Sequence, residues 1–160
     1  MKKTWILFIF LIFLSVNASA YMVSFYIIET GLPQDPDNVR VHSHSVLWEN
    51  AFMDVFFDAG FIVGNAPILR MENKPSGDIL NAASVNFKDA RDWGIDFILI
   101  TQLDYNNELS IAENIAFFVY MVSSGEKIYE KQIKRSSGRM AKEEFNELKT
   151  IVRELVPFFQ

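Results

Sequence analysis

Residues 96–135 read DFILITQLDY-NNELSIAEN-IAFFVYMV-SSGE-KIYEKQIKR, and this stretch decides the fold. Asp96 to Tyr105 is an apolar, β-branched run of strand length. Asn106-Asn107 makes a turn. Ile115 to Val122 is apolar at both of its alternating positions, the pattern of a central strand covered on both sides. Ser123 to Glu126 forms a hairpin loop in which Gly125 supplies the positive φ of a tight turn. Lys127 to Arg135 is the returning strand, and its lysines suit a sheet edge.

Outward from this core, Met22 to Glu29 (MVSFYIIE) reads as a buried strand. Gly31 to Asn38 is a loop, because Pro33 and Pro36 forbid regular pairing. A helix is expected from Val46 to Ala59, with Ser45 as N-cap and Gly60 after its end. Trp48, Phe52, Val55, Phe56 and Ala59 share its apolar side, and Asn50, Asp54 and Asp58 form a solvated stripe. Phe61 to Val63 is a short strand, and Gly64 to Gly77 is irregular. A helical stretch covers Asp78 to Trp93 with a break near Ser84, and Gly94 stops it. Ser136 to Gly138 links to a last helix, Lys142 to Val156, with Phe145, Leu148, Val152 and Leu155 as its stripe and Pro157 at its end. The order β-α-β-α-β-β-β-α specifies an α+β domain, a mixed sheet of about four or five strands packed with helices.

The chain has 160 residues, 50% apolar, 22% charged, with no cysteine. Residues 1–20 (MKKTWILFIFLIFLSVNASA) join two lysines, a ten-residue apolar run from Trp5 to Leu14, and the small pair Ala18 and Ala20. That is the build of a secretory signal cut between Ala20 and Tyr21. The run is short of the roughly twenty apolar residues that a bilayer core of about 30 Å requires. Without a cysteine the chain is not expected to be a lipoprotein, and residues 21–160 are expected to be one exported, periplasmic domain. Removing the signal takes two of the fifteen basic residues and none of the twenty acidic ones, leaving a net charge of −7. Such a balance argues against a general nucleic-acid binder, which needs a surplus of phosphate-neutralising cations.

Four stretches carry a family resemblance. They are Val23 to Glu29, Trp48 to Val63 (WENAFMDVFFDAGFIV), Ala90 to Leu99 (ARDWGIDFIL) and Ser124 to Tyr129 (SGEKIY). In order and spacing they are similar to the periplasmic module shared by the amino-terminal domain of TolB, the curli secretion channel lipoprotein and the lipoprotein activators of penicillin-binding proteins. The chain departs from that pattern at Thr101, where the module usually has glycine, and in lacking the lipidation cysteine. The resemblance implies an envelope protein that acts through contacts rather than catalysis.

The inventory of reactive groups is sparse. His42 and His44 would point the same way on a strand and could share a metal, with Asp35 or Asp37 completing the ligand set. Asp35 to Asn38 faintly echoes a calcium loop but lacks its glycine and distal glutamate. Ser124 to Lys127 spells Ser-x-x-Lys, without the helix and companion motifs that the penicillin-recognising enzymes need. No cofactor is expected. The main reading is therefore an interaction module, and the alternative is a small metal-binding protein or hydrolase built on the two histidines. Charge is also unevenly distributed, −9 over residues 21–125 and +2 over 126–160. Lys127, Lys131, Lys134, Arg135, Arg139 and Lys142 read either as edge protection or as a docking surface for an envelope protein, including an anionic one.

Overall fold

The computed structural model describes residues 20–32, 41–105, 111–135 and 141–159. The expected turn at Asn106-Asn107, the prolines of the first loop and the Ser136 to Gly138 linker lie outside them. The elements run β1 (Met22–Thr30), α1 (Ser43–Asp58), β2 (Ile62–Asn65), β3 (Leu69–Met71), α2 (Ile79–Ala82), α3 (Phe87–Asp92), β4 (Phe97–Tyr105), β5 (Ala112–Met121), β6 (Glu126–Lys134), α4 (Ala141–Arg153) and a final 3₁₀ turn (Val156–Phe159). The six strands form one mixed sheet in the order β2-β1-β4-β5-β6, with β3 also beside β1. The fold is α+β.

Its spine is the parallel pair β1–β4, in register from Val23↔Phe97 to Thr30↔Asp104. β5 and β6 follow β4 as antiparallel neighbours. On the other side of β1, β2 pairs with Met22 to Phe25 and β3 with Ile28 to Thr30. These two short strands are one edge interrupted at Pro67, which has no N–H to give to a ladder. β3 lies inside the stretch expected to be irregular, so the sheet has one strand more than the sequence pattern indicates.

Strand alternation sorts side chains onto two faces. Val23, Phe25, Ile27, Leu99, Leu103, Phe117 and Val119 lie under α1 and α4, where they bury Trp48, Phe52, Phe56 and Leu148. Phe25 stacks on Phe52 with ring centres 5.3 Å apart, and Phe159 packs edge-on against Phe56 at 4.8 Å. Ile28, Ile98, Ile100 and Tyr120 form the second core with Ile79, Ala83 and Ala90 from the α2–α3 region. Each aromatic ring taken from water contributes roughly 1.5–3 kcal/mol, which makes the α1 face the larger source of stability.

Local chemistry fixes the boundaries. α1 starts at Ser43, capped by His42 rather than Ser45, with the His42 side chain accepting from His44 N–H. Ser45 is buried inside the first turn. The stretch from Asp78 to Trp93 is two short helices separated at Ser84, whose φ of 54° is left-handed. Asp78 and Asn86 cap them. The Asp96 carboxylate takes the Met22 N–H at 2.8 Å and so joins the start of β4 to the start of β1. α4 ends at Arg153, earlier than expected, and Pro157 sits in the 3₁₀ turn that drops Phe159 into the core.

Two substitutions test this packing. Gly31 has φ +77°, and a Cβ there would lie 2.2 Å from the Tyr105 carbonyl oxygen. Gly31→Ala should cost on the order of 1–3 kcal/mol in urea unfolding, and an unchanged midpoint would contradict the clash. The Thr101 hydroxyl is buried with no hydrogen-bond partner among the described residues. Thr101→Val keeps the shape and removes the orphaned hydroxyl, so it should raise stability by about 1 kcal/mol; a loss would show that the hydroxyl is satisfied.

Candidate functional site

The histidines stand at the start of α1, not on a strand, and at the end of the sheet where β1 and β4 terminate. His42 N–H donates to Glu29 Oε1 at 2.8 Å, and Arg70 Nε donates to Glu29 Oε2 at 2.9 Å. The His42 ring lies 4.2 Å from that of Tyr105, and its Nδ1 accepts the His44 N–H at 3.2 Å. His44 is deeper. Its Nδ1 accepts the Ala112 backbone N–H at 3.1 Å, and its Nε2 lies 2.8 Å from Glu144 Oε1. A backbone N–H can only donate, so Nδ1 carries no proton and Nε2–H donates to Glu144. Arg135 closes the cluster with a two-pronged pair to Glu144, its Nη2 donating to Oε2 at 3.0 Å, and a contact to Glu147 at 3.3 Å. Tyr105 Oη lies 2.7 Å from Ser45 Oγ and 3.3 Å from His44 Nδ1.

Hydroxyl, imidazole and carboxylate in sequence are the ingredients of nucleophilic catalysis, but here they are sealed. Ser45 is 0% exposed, His44 and Glu144 2%, and Tyr105 3%. A substrate atom has no approach to them. The cluster joins α1, β4, β5, the residue after β6 and α4 through hydrogen bonds, those to Glu144 being charge-assisted. Neither ring nitrogen of His44 is open to a metal, and His42 Nδ1 is occupied as the helix cap. Asp35 and Asp37 lie outside the described residues. Among the described residues no three His, Asp or Glu side chains converge on a metal position.

The charged end has a defined pH response. Burial pushes both histidines below their ordinary 6.5, although Glu144 pulls His44 back in part. Burial pushes the Glu144 carboxyl up, but the hydrogen bonds from Arg135 and His44 outweigh it and leave it below its ordinary 4.5. Burial raises the Tyr105 hydroxyl above its usual range. Groups whose folded pKa is depressed stabilise the fold above the ordinary value, and the stabilisation is lost on acidification. The unfolding midpoint should therefore fall as pH drops below about 6.5, and again below about 4.5. Replacing His42 and His44 together by Gln should flatten the first limb; a limb of undiminished size would assign it to other groups.

The basic residues of the C-terminal part do not form one surface. Lys127 bonds Glu130 at 2.5 Å, Lys131 bonds Glu154 at 2.7 Å, and Lys134 bonds Glu113 at 3.1 Å. The register shifts between Val119 and Tyr120. Lys127 sits over Phe118 on the α2–α3 side, whereas Lys131 reaches Glu154, just beyond α4. Arg135, expected on the surface, is 8% exposed and committed to Glu144. Lys142 is exposed on α4, and Arg139 lies outside the described residues. Ser124 bonds the Glu126 N–H within the hairpin, so Ser-x-x-Lys is turn chemistry. A feature with no linear motif is a polar hollow of about 370 Å³ on the α2–α3 side of the sheet, lined by Gln102, Asp104, Asn114, Gln132 and Lys74. Cross-strand register brings Gln102, Asp104, Asn114 and Gln132 together, and Lys74 joins them through its ion pair with Asp104 at 2.6 Å.

Comparison with solved structures finds the same kind of fold at low sequence identity. It is similar to the PelC L103M dodecamer from Paraburkholderia phytofirmans, with a TM-score of 0.53 and 13% identity over 89% of this chain and 92% of that one. It is similar to TolB from Acinetobacter baumannii, with a TM-score of 0.50 and 11% identity over 88% of this chain and 28% of TolB. Lipoprotein GNA1162 from Neisseria meningitidis aligns at a TM-score of 0.48 and 14% identity, over 86% of this chain and 98% of that one. The resemblance read from the four sequence stretches is thus a likeness of fold. No curated protein matches the sequence. Among the described residues no helix is long and apolar enough to cross a membrane. A family model described as "Uncharacterised protein" matches residues 33–148, and the chain belongs to that family.

Proposed function

We propose that this chain is an exported, non-enzymatic module that helps assemble or regulate cell-envelope machinery through protein–protein contacts, in the periplasm and after removal of residues 1–20. Ala20 and Tyr21 are exposed immediately before β1, a position that suits cleavage at that bond without disturbing the sheet. The sealed state of the His44 cluster directs attention from chemistry to surfaces. PelC, of similar fold, is a dodecamer, an assembly made by contacts between copies.

The observation that carries the reading is the free side of β6. Among the described residues the sheet ends at this nine-residue strand, which pairs with β5 alone. Its outward main-chain groups offer a template for a partner strand. Lys127, Lys131 and Lys134 rim that edge, each tied to a glutamate that an anionic partner can displace. Such surface pairs are worth little individually, so exchange is inexpensive.

Crosslinking from its own envelope fraction tests this. The protein should capture a partner through β6, with capture weakened by salt and abolished when Lys127, Lys131 and Lys134 are changed to Glu. Arg135 must stay, since its reversal would place two carboxylates together in the interior. Undiminished capture by the triple variant would leave the lysines as edge protection alone.

A further inference from the structure

The four most exposed large apolar side chains among the described residues are Phe57 at 72%, Trp93 at 71%, Ile62 at 54% and Tyr21 at 45%. They come from separate parts of the chain and lie at one end of the sheet. β1 and β2 begin there, paired at Met22↔Ile62, and β4 begins beside them at Val23↔Phe97. Phe57 is in the last turn of α1, which leads into β2, and Trp93 follows α3 and leads into β4. The Ile62 N–H donates to the Tyr21 carbonyl at 2.9 Å. The Tyr21 ring stands edge-on to Phe97 at 5.6 Å, and the two line an open hollow of about 490 Å³ with Arg91, Gly94 and Met121. Single exposed apolar residues are ordinary, but four at one end form a surface. The paired charges of Glu29 and Arg70 occupy the opposite end, where β1 terminates.

Chain connectivity indicates what this end meets. Ala20 is exposed directly before β1. The apolar run Trp5 to Leu14 ends seven residues before Tyr21, a reach of at most about 25 Å. While that run is held in a bilayer, Tyr21 and its neighbours face the bilayer surface. Cutting the Ala20–Tyr21 bond removes the leader and leaves the four side chains in place. Their chemistry suits the same surface, because Trp and Tyr join an apolar body to a polar tip and settle at the membrane–water boundary. The flanking charges are of both signs, Asp58, Asp92 and Asp96 with Arg91 and, at the end of α4, Arg153. A zwitterionic headgroup fits that mixture better than an anionic one, which would meet three carboxylates.

We propose that this end of the mature protein rests on a zwitterionic phospholipid surface through Tyr21, Phe57, Ile62 and Trp93, so that the protein stays peripheral to the membrane after its leader is cut. This rests on the reading of the chain as an exported module. It makes no use of a protein partner, so lipid binding and capture through β6 can fail separately. β6 begins at this end, with Glu126 opposite Met121, and runs away from it. Its free side therefore stays open while the end is seated.

The test mixes the mature protein, residues 21–160, with sucrose-loaded phosphatidylcholine vesicles. Of the three tryptophans, Trp5 leaves with the leader and Trp48 is buried, so Trp93 reports on the surface. The protein should sediment with the vesicles, Trp93 emission should shift to the blue, and high salt should change neither. Ile62→Ser together with Trp93→Ser should weaken binding at least about tenfold, through the lost burial of two large apolar groups. Trp93→Phe should keep the binding. All these positions are exposed, and circular dichroism and the emission of Trp48 verify that each variant is folded. Absence of sedimentation with phosphatidylcholine, or equal binding by the double serine variant, overturns the proposal. Binding confined to anionic vesicles and lost in salt also overturns it, since the lysines of β6 would then be the contact. So does a micromolar self-association, seen by analytical ultracentrifugation, that the double serine variant abolishes, because the surface would then be covered by a second copy.

Discussion

The His44 imidazole, fixed between the Ala112 N–H and the Glu144 carboxylate, is the constraint on which the rest of this architecture depends. Hydrophobic burial alone would press α1 and α4 onto the sheet, but it is non-directional. The polar cluster supplies direction. It sets the first turn of α1 against the end of β4 and the start of β5, and the first turn of α4 against the end of β6. The aromatic core then fills a space whose corners are already fixed. A buried ion pair of this kind brings less net stability than its contacts suggest, because both charges have lost their water. Its value here lies in allowing one arrangement of helices on the sheet.

This arrangement also decides where function can reside. Of the groups the sequence offers for chemistry, His44 is buried in the cluster and His42 caps α1, while Asp35 and Asp37 lie outside the described residues. Ser45, His44, Tyr105, Glu144 and Arg135 satisfy one another, and nothing in the cluster faces solvent as a nucleophile or an open ligand. The accessible features are the free side of β6, the polar hollow on the α2–α3 side and the apolar side of α1. They lie on one sheet-and-helix frame.

Much of the frame was legible in the amino-acid order. Apolar, β-branched runs marked β1, β4 and β5, the return after the Gly125 turn marked β6, and Ser84, Gly94 and Gly125 marked breaks that coincide with left-handed backbone. Other features have no local signature. β3 is three residues long and exists because β1 offers an unpaired edge beside it. His42 displaced Ser45 as helix cap because the serine was claimed by Tyr105, sixty residues away in the chain. Phe159 fell outside the α4 periodicity because a 3₁₀ turn redirects it.

Site residues were harder to read for the same reason. In sequence, Arg135 is indistinguishable from the lysines before it. It is buried because Glu144, nine residues on, is brought back over it by α4. Lys127 and Lys131 read as one stripe, yet a shift in the β5–β6 register sends them to different sides. One side of α1 reads in sequence as a polar stripe of Asn50, Asp54 and Asp58, and only the fold brings Val63 and Phe145 beside Met53 and Phe57. The most direct measurement is a long-range ¹H–¹⁵N spectrum of the histidine rings at neutral pH, recorded with and without added zinc. A neutral His44 ring, protonated at Nε2, bare at Nδ1 and unmoved by zinc, is the result required by a closed structural cluster. A cationic ring, or a zinc-dependent shift at either nitrogen, would contradict it and return these residues to the list of reactive groups.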